Sequence, residues 1–170
     1  MKPQDILVAL KLLVSGWPGS YAQLGKQLGL SASESHAAIR RARRSGLLPP
    51  SGVCPNRTAL AEFLIHGLRY AFPAEIGGGT RGMPTGYAAR PLREEMAAPD
   101  DPAAPVWPDP DGECRGQELT PLCRSVPKAA RNDAALYEWL VLADALRAGR
   151  ARERELAAKI VRERLGYHGE

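Results

Sequence analysis

The sequence predicts a mainly α-helical fold: a basic helical region first, an irregular arm in the middle and a helical pair at the C-terminus. Apolar residues recur at helical spacing near both ends of the 170-residue chain. Ten of the 15 prolines lie between residues 72 and 127, where they interrupt regular structure. Charge follows the same division, because residues 1–70 carry nine Lys or Arg against three Asp or Glu, and residues 71–127 carry five against nine. A basic first region points to an anionic partner.

The first two helices follow from apolar spacing and from stop signals. An apolar stripe on one face predicts a helix that begins after Pro3 and stops at Gly16. The stripe consists of Ile6, Leu7, Leu10, Leu13 and Val14. Ser20 followed by Gln23 has the form of a capping box, and Gly29 ends the short helix that this box opens.

A second capping box, Ser31 with Glu34, opens a third helix that runs to Arg44. Two capped helices joined through residues 29–31 predict a helix-turn-helix, although a simple helical hairpin has part of this pattern. The small or apolar residues of the third helix share one face and are expected to pack inward. They are Ser35, Ala38, Ile39 and Ala42.

The opposite face and the flanks of this third helix have the composition of a DNA-recognition surface. Exposed side chains near the start of such a helix reach base edges, while guanidinium groups further along meet phosphates or pair with guanine. Four arginines fall within five residues here, although the helix dipole also favours cations at this end in a purely solvated role. The candidate DNA-binding residues are Ser31, Ser33, His36, Ala37, Arg40, Arg41, Arg43, Arg44 and Arg57.

A leading helix, a helix-turn-helix and then a Pro/Gly-rich turn at residues 47–53 form an order that resembles the winged helix-turn-helix of MarR-like bacterial transcription regulators. The resemblance covers residues 3–70 and implies a winged-helix-like core and sequence-specific binding of double-stranded DNA. Pro49 and Pro50 lack the N–H groups that a β-ladder needs, so a reduced wing is expected. Asn56 is expected to cap the next helix, and the predicted DNA-binding domain spans residues 1–72.

Residues 73–131 form the predicted Pro/Gly-rich arm. The glycine run from Gly77 to Gly82 is interpreted as a flexible connector, because a phosphate loop needs a lysine and a preceding apolar strand that are missing here. The segments 106–107 and 114–119 flank an Asp-Pro-Asp-Gly turn and predict a small β-hairpin.

Residues 132–170 predict a C-terminal helical pair whose first helix is capped by Asn132 or Asp133. The first helix carries an apolar stripe that needs a partner: Leu136, Trp139, Leu140 and Leu146. The stripe fits the N-terminal domain of the same chain, a second copy of the chain, or a different protein. The MarR-like resemblance favours a homodimer. If the Pro/Gly-rich arm and the C-terminal helices instead bind a different protein, the chain would be an adaptor or antitoxin-like subunit whose helix-turn-helix serves autoregulation.

The sequence contains no recognisable catalytic or metal-binding pattern. The three histidines lie in separate elements, and the three cysteines have no CxxC spacing. We therefore expect a protein that is not an enzyme and takes no metal or cofactor. Cysteine usage fits a reducing compartment, and the apolar stretch at residues 6–14 is too short to span a bilayer, so a cytoplasmic protein without membrane association is expected.

Overall fold

A computed structural model describes residues 1–96 and 101–168, and the fold within these ranges is mainly helical. The N-terminal helices are α1 (Pro3–Ser15), α2 (Tyr21–Leu28), α3 (Ala32–Arg44), α4 (Arg57–Glu62), a π-helical turn (Phe63–Gly67) and α5 (Leu68–Ala71). The middle contains β1 (Ile76–Pro84), a 3₁₀ turn (Gly86–Ala88), α6 (Leu92–Met96), β2 (Pro105–Pro108) and β3 (Cys114–Leu119). The C-terminal helices are α7 (Val126–Arg131), α8 (Ala134–Ala148) and α9 (Ala151–Leu165). Residues 97–100 of the predicted arm and residues 169–170 of the C-terminal segment lie outside the described residues.

The helix boundaries of the helix-turn-helix agree with the local signals. The Ser31 hydroxyl accepts a hydrogen bond from the Glu34 N–H at 3.1 Å, and the Glu34 carboxylate accepts one from the Ser31 N–H at 2.8 Å. Gly29 ends α2 in the left-handed conformation, with φ 68° and ψ 32°. A Cβ at Gly25 would lie 2.4 Å from the carbonyl oxygen of Leu30, so a glycine is required where the turn folds back on α2. The predicted capping box and turn are confirmed.

Residues 45–56, between α3 and α4, form turns and bends without a strand. Leu47 and Leu48 are buried in the core, and the Leu47 carbonyl accepts a hydrogen bond from the Asn56 N–H at 2.9 Å. Asn56 in turn caps α4 by accepting from the Ala59 N–H, as expected. The segment is therefore a tight connection, in keeping with the three prolines that it contains.

The middle of the chain differs most from the expectation. The glycine run, interpreted as a flexible connector, forms β1, which pairs antiparallel with both β2 and β3. β2 and β3 pair with each other in parallel, so the expected β-hairpin between them is wrong. Close approach of two backbones explains the glycine at position 82, because a Cβ there would lie 2.0 Å from the carbonyl oxygen of Trp107 in β2. Gly82 therefore serves close strand packing, whereas a Cβ at Gly78 or Gly79 would meet nothing within 4 Å. A sequence pattern does not distinguish such packing from flexibility.

Helix α8 lies at the centre of the molecule, where it contacts α1, α5, α7 and α9. The stripe expected to bind a partner is buried within the chain, with Leu136 at 0%, Trp139 at 7%, Leu140 at 1% and Leu146 at 3% exposure. The assignment of these four residues to a dimer interface is therefore wrong. They fold back on the same chain because α8 is apolar on most of its circumference, and a helix of that kind is stable only when covered on all sides.

A buried polar network fastens the strands to α8. The Asp144 carboxylate accepts hydrogen bonds from the Trp107 indole N–H and from the Thr85 hydroxyl, the latter at 2.9 Å. The same carboxylate forms an ion pair with Arg147 at 2.7 Å, in which both side chains are 2% exposed. Arg147 also donates to the Phe72 carbonyl oxygen at 2.8 Å. The core thus runs without interruption through all three predicted segments.

Candidate nucleic-acid interface

Helix α3 packs one face inward against α1 and α2 and leaves the other uncovered. The four residues predicted to face inward, Ser35, Ala38, Ile39 and Ala42, are its buried residues. The predicted division of this helix into a packed and an open face is therefore confirmed.

The open face of α3 carries free guanidinium groups. Arg40 and Arg44 are exposed, and neither has a hydrogen bond or ion pair with any described residue. They lie four residues apart, so their side chains emerge from consecutive turns on one side of the helix. Ser33 and His36 are exposed and Ala37 is half-buried. This face combines polar groups near the start of the helix with unpaired positive charge near its end.

Arg41 has a partner inside the protein, contrary to the expectation that it faces DNA. Its guanidinium donates to both carboxylate oxygens of Asp5 on α1, with the shortest contact at 2.6 Å. The Asp5 side chain is fully buried, whereas that of Arg41 is 30% exposed. The side-chain hydrogen bond to Asp5 raises the pKa of Arg41. Arg41 thus anchors α3 to α1, and its charge is neutralised.

Arg43 is also engaged within the chain. Its Nη2 donates to the carbonyl oxygen of Gly52 at 2.8 Å, and its Nε is buried without a partner among the described residues. The side chain holds the connection after α3 against the helix. Of the four clustered arginines, two therefore serve the fold and two face outward.

The remaining candidates occupy helix starts. The hydroxyl of Ser31 is taken up by the capping box, so its role in the structure is to begin α3. Arg57 is exposed at the first position of α4 and has no hydrogen bond or ion pair with another described residue.

Negative charge is kept away from the open face. Glu34, the acidic residue of α3, has its carboxylate held at the helix start. The hydrogen bond from the Ser31 backbone, and then that with its side chain, lower the pKa of Glu34, because they stabilise the carboxylate. With a rise of ~1.5 Å per residue, this charge is ~15 Å along the helix from Arg44.

Two aromatic residues beside the open face were missed by the sequence analysis. The ring of Tyr21 lies edge-on to the imidazole of His36, with centroids 4.9 Å apart, and Trp17 lies edge-on to Tyr21 at 5.1 Å. The spacing of four residues between Trp17 and Tyr21, across the start of α2, is the signal that points to such a pair. Sequence alone does not bring His36 to them, because it lies on a different helix.

The described part of the chain has neither a membrane-length apolar helix nor a cluster of His, Cys, Asp and Glu suited to a metal ion. Comparison of the sequence and the fold with protein-family models, with curated proteins and with solved structures gives no match. The candidate interface therefore rests on the geometry of α3 and its neighbours.

Proposed function

We propose that the protein binds double-stranded DNA in a sequence-specific manner through α3 and acts as a transcriptional regulator. The observation that carries the proposal is the open face of α3, where Arg40 and Arg44 have no partner in the described structure. A basic helix that is the second of a helix-turn-helix is suited to entering the major groove. The acidic residue of α3 itself, Glu34, lies in the first turn, and the Asp5 carboxylate that meets Arg41 is fully buried, which supports the same assignment.

Each exposed candidate residue of α3 then has a role. Ser33 and His36, near the N-terminal end, are directed to base edges, and Arg40 pairs with the O6 and N7 atoms of guanine. Arg44 binds a phosphate, which neutralises charge without reading sequence. Arg41 and Arg43 act indirectly, because their intramolecular bonds fix the position of α3.

We retain a homodimer in the proposal, as two copies on half-sites ~34 Å apart, because a single recognition helix reads only a few base pairs. The C-terminal stripe does not mediate this pairing, since it is buried in the core. The adaptor or antitoxin-like alternative assigned the partner contact to the Pro/Gly-rich arm and the C-terminal helices, and the stripe of those helices is buried.

The main test is a titration of labelled duplex DNA at several salt concentrations. Each neutralised phosphate contributes roughly −0.9 to the slope of log affinity against log salt. Arg44→Ala should therefore flatten the slope by about one and weaken all sequences alike. Arg152→Ala is the matched control, because Arg152 is an exposed arginine of α9 without a described partner. Undetectable duplex binding at ~50 mM salt would contradict the proposal, since phosphate contacts dominate there.

Sequence preference is tested separately. Arg40→Ala should relax the preference at one base position, where a bidentate pair contributes ~1–3 kcal/mol of discrimination. Selection from random duplexes by the wild type and by the variant measures this change. Identical selected sequences would contradict the role of Arg40.

A further inference from the structure

A row of aromatic rings continues the open face of α3 toward the start of α2, with Trp17 and His36 exposed and Tyr21 between them half-buried against the core. Trp17 lies in the connection between α1 and α2 and is 37% exposed. Its ring contacts Tyr21, the first residue of α2, which in turn contacts His36 on α3. His36, Arg40 and Arg44 emerge from successive turns of α3, so the aromatic row and the free guanidinium groups form one surface.

The polar atoms of this row are unsatisfied inside the protein. The Trp17 indole N–H, the Tyr21 hydroxyl and the imidazole nitrogens of His36 form no hydrogen bond with the described residues. This differs from Trp107, whose indole N–H is bonded to Asp144 in the core. Three donors thus lie together at a surface, beside positive charge, without an internal partner.

Phosphate oxygens are the ligand that this arrangement fits. In protein–DNA complexes, tyrosine hydroxyls and other neutral donors bond the backbone beside the groove that a helix enters. Aromatic rings also offer flat apolar area that covers the deoxyribose. The adjacent Arg40 and Arg44 make the surroundings complementary to a polyanion.

We propose that Trp17, Tyr21 and His36 form a second contact surface, which lies on the sugar–phosphate backbone of duplex DNA beside the groove occupied by α3. The inference rests on the proposed DNA binding and extends it to residues outside the recognition helix. Trp17 and Tyr21 contribute neutral hydrogen bonds and ring contacts, so their effect on affinity is separable from that of the arginines.

The first experiment compares conservative variants. Trp17→Phe and Tyr21→Phe keep a ring but remove the donor, so each should weaken duplex binding about 3- to 10-fold at fixed salt. Neither variant removes a charge, and the salt slope should stay that of the wild type. Tyr70→Phe is the control, since Tyr70 is a 76% exposed aromatic residue on α5. An unchanged melting midpoint in each variant shows that the fold is intact.

The second experiment uses the fluorescence of the unaltered protein. Trp107 and Trp139 are 0% and 7% exposed, so Trp17 accounts for the tryptophan emission that acrylamide quenches readily. Saturating duplex DNA should protect this component, and Trp17→Phe should lack it.

The outcomes separate the two proposals. This inference is overturned, and the proposed function stands, if wild-type protein binds duplex with an Arg44-dependent salt slope, Trp17→Phe binds duplex as tightly as the wild type, and acrylamide still quenches Trp17 in the complex. Wild-type protein that binds no duplex overturns both. Protection of Trp17 by single-stranded DNA at higher affinity than by duplex also overturns the inference, because the rings would then stack on bases.

Discussion

Helices α3 and α8 begin in the same way but have opposite relations to the rest of the molecule. Each is capped by a side chain at its start, Ser31 for α3 and Asp133 for α8. Helix α8 buries ten of its 15 residues, whereas α3 buries four of its 13. Helix α8 is covered by its neighbours, whereas α3 keeps one side open.

The comparison shows that an arginine near a helix C-terminus can belong either to the core or to an open surface. Arg147 of α8 is enclosed with Asp144 and ties the strands to the core. Arg44 of α3 has no partner among the described residues and points outward. The difference is set by what surrounds each helix.

The largest effect is expected at the buried ion pair. Arg147→Met should lower the free energy of unfolding by ~3–5 kcal/mol, because it leaves the Asp144 carboxylate buried without its cation. Arg44→Met, the same change near the end of α3, should alter stability by no more than ~0.5 kcal/mol. Urea denaturation of both variants measures the difference, and equal losses would contradict the assignment of Arg44 to an open face.

The apolar stripe of α8 is expected to act in the core rather than in an interface. Leu140→Ala should cost ~2–5 kcal/mol, since truncation leaves a cavity among close-packed side chains. Ile76→Ala, at a position that is 63% exposed, is the control and should change stability little. A variant at Leu140 that keeps its melting midpoint but changes its mass by light scattering would restore the interface assignment.

A smaller effect is expected at the start of α3. Ser31→Ala removes the acceptor of the Glu34 N–H and should cost ~0.5–2 kcal/mol. Ser33→Ala, two residues further on the open face, is the matched control. Helix α3 depends on this cap because few of its residues are held by burial. An equal melting midpoint for both variants would show that the cap is dispensable.

A further effect concerns acid stability at the start of α8. Burial acts to raise the pKa of Asp133, but its bonds to Lys11, the Leu136 N–H and the Ser15 hydroxyl together lower it below the usual 3.8. A depressed folded-state pKa gives stability that is present above the unfolded value and is lost as pH falls through the folded one.

Asp133→Asn keeps an acceptor for the cap but removes the charge that pairs with Lys11 at 2.6 Å. Its stability should be lower near neutral pH and fall less on acidification than that of the wild type. Melting midpoints measured between ~pH 6 and ~pH 3 check this expectation. Parallel curves for the two proteins would contradict it.

Helix boundaries could be predicted because they depend on neighbours in the chain. The Ser31 hydroxyl accepts a hydrogen bond from an N–H three residues later, and Gly29 adopts a positive φ. Both signals act within a few residues of the chain. The buried face of α3 was predictable for the same reason, since the period of 3.6 fixes which residues share a side. These signals located α2 and α3, which the sequence predicts to form a helix-turn-helix, and the candidate residues on the open face of α3.

The partners of those residues depended on tertiary structure. Arg41 meets Asp5 across 36 positions of sequence, and Tyr21 meets His36 on another helix. Gly82 of β1 lies against the backbone of β2, and the stripe of α8 packs against its own chain. Spacing determines which side chains share a face, because backbone geometry is local. Whether that face is covered depends on contacts between distant segments, which form only when the whole chain buries its apolar surface.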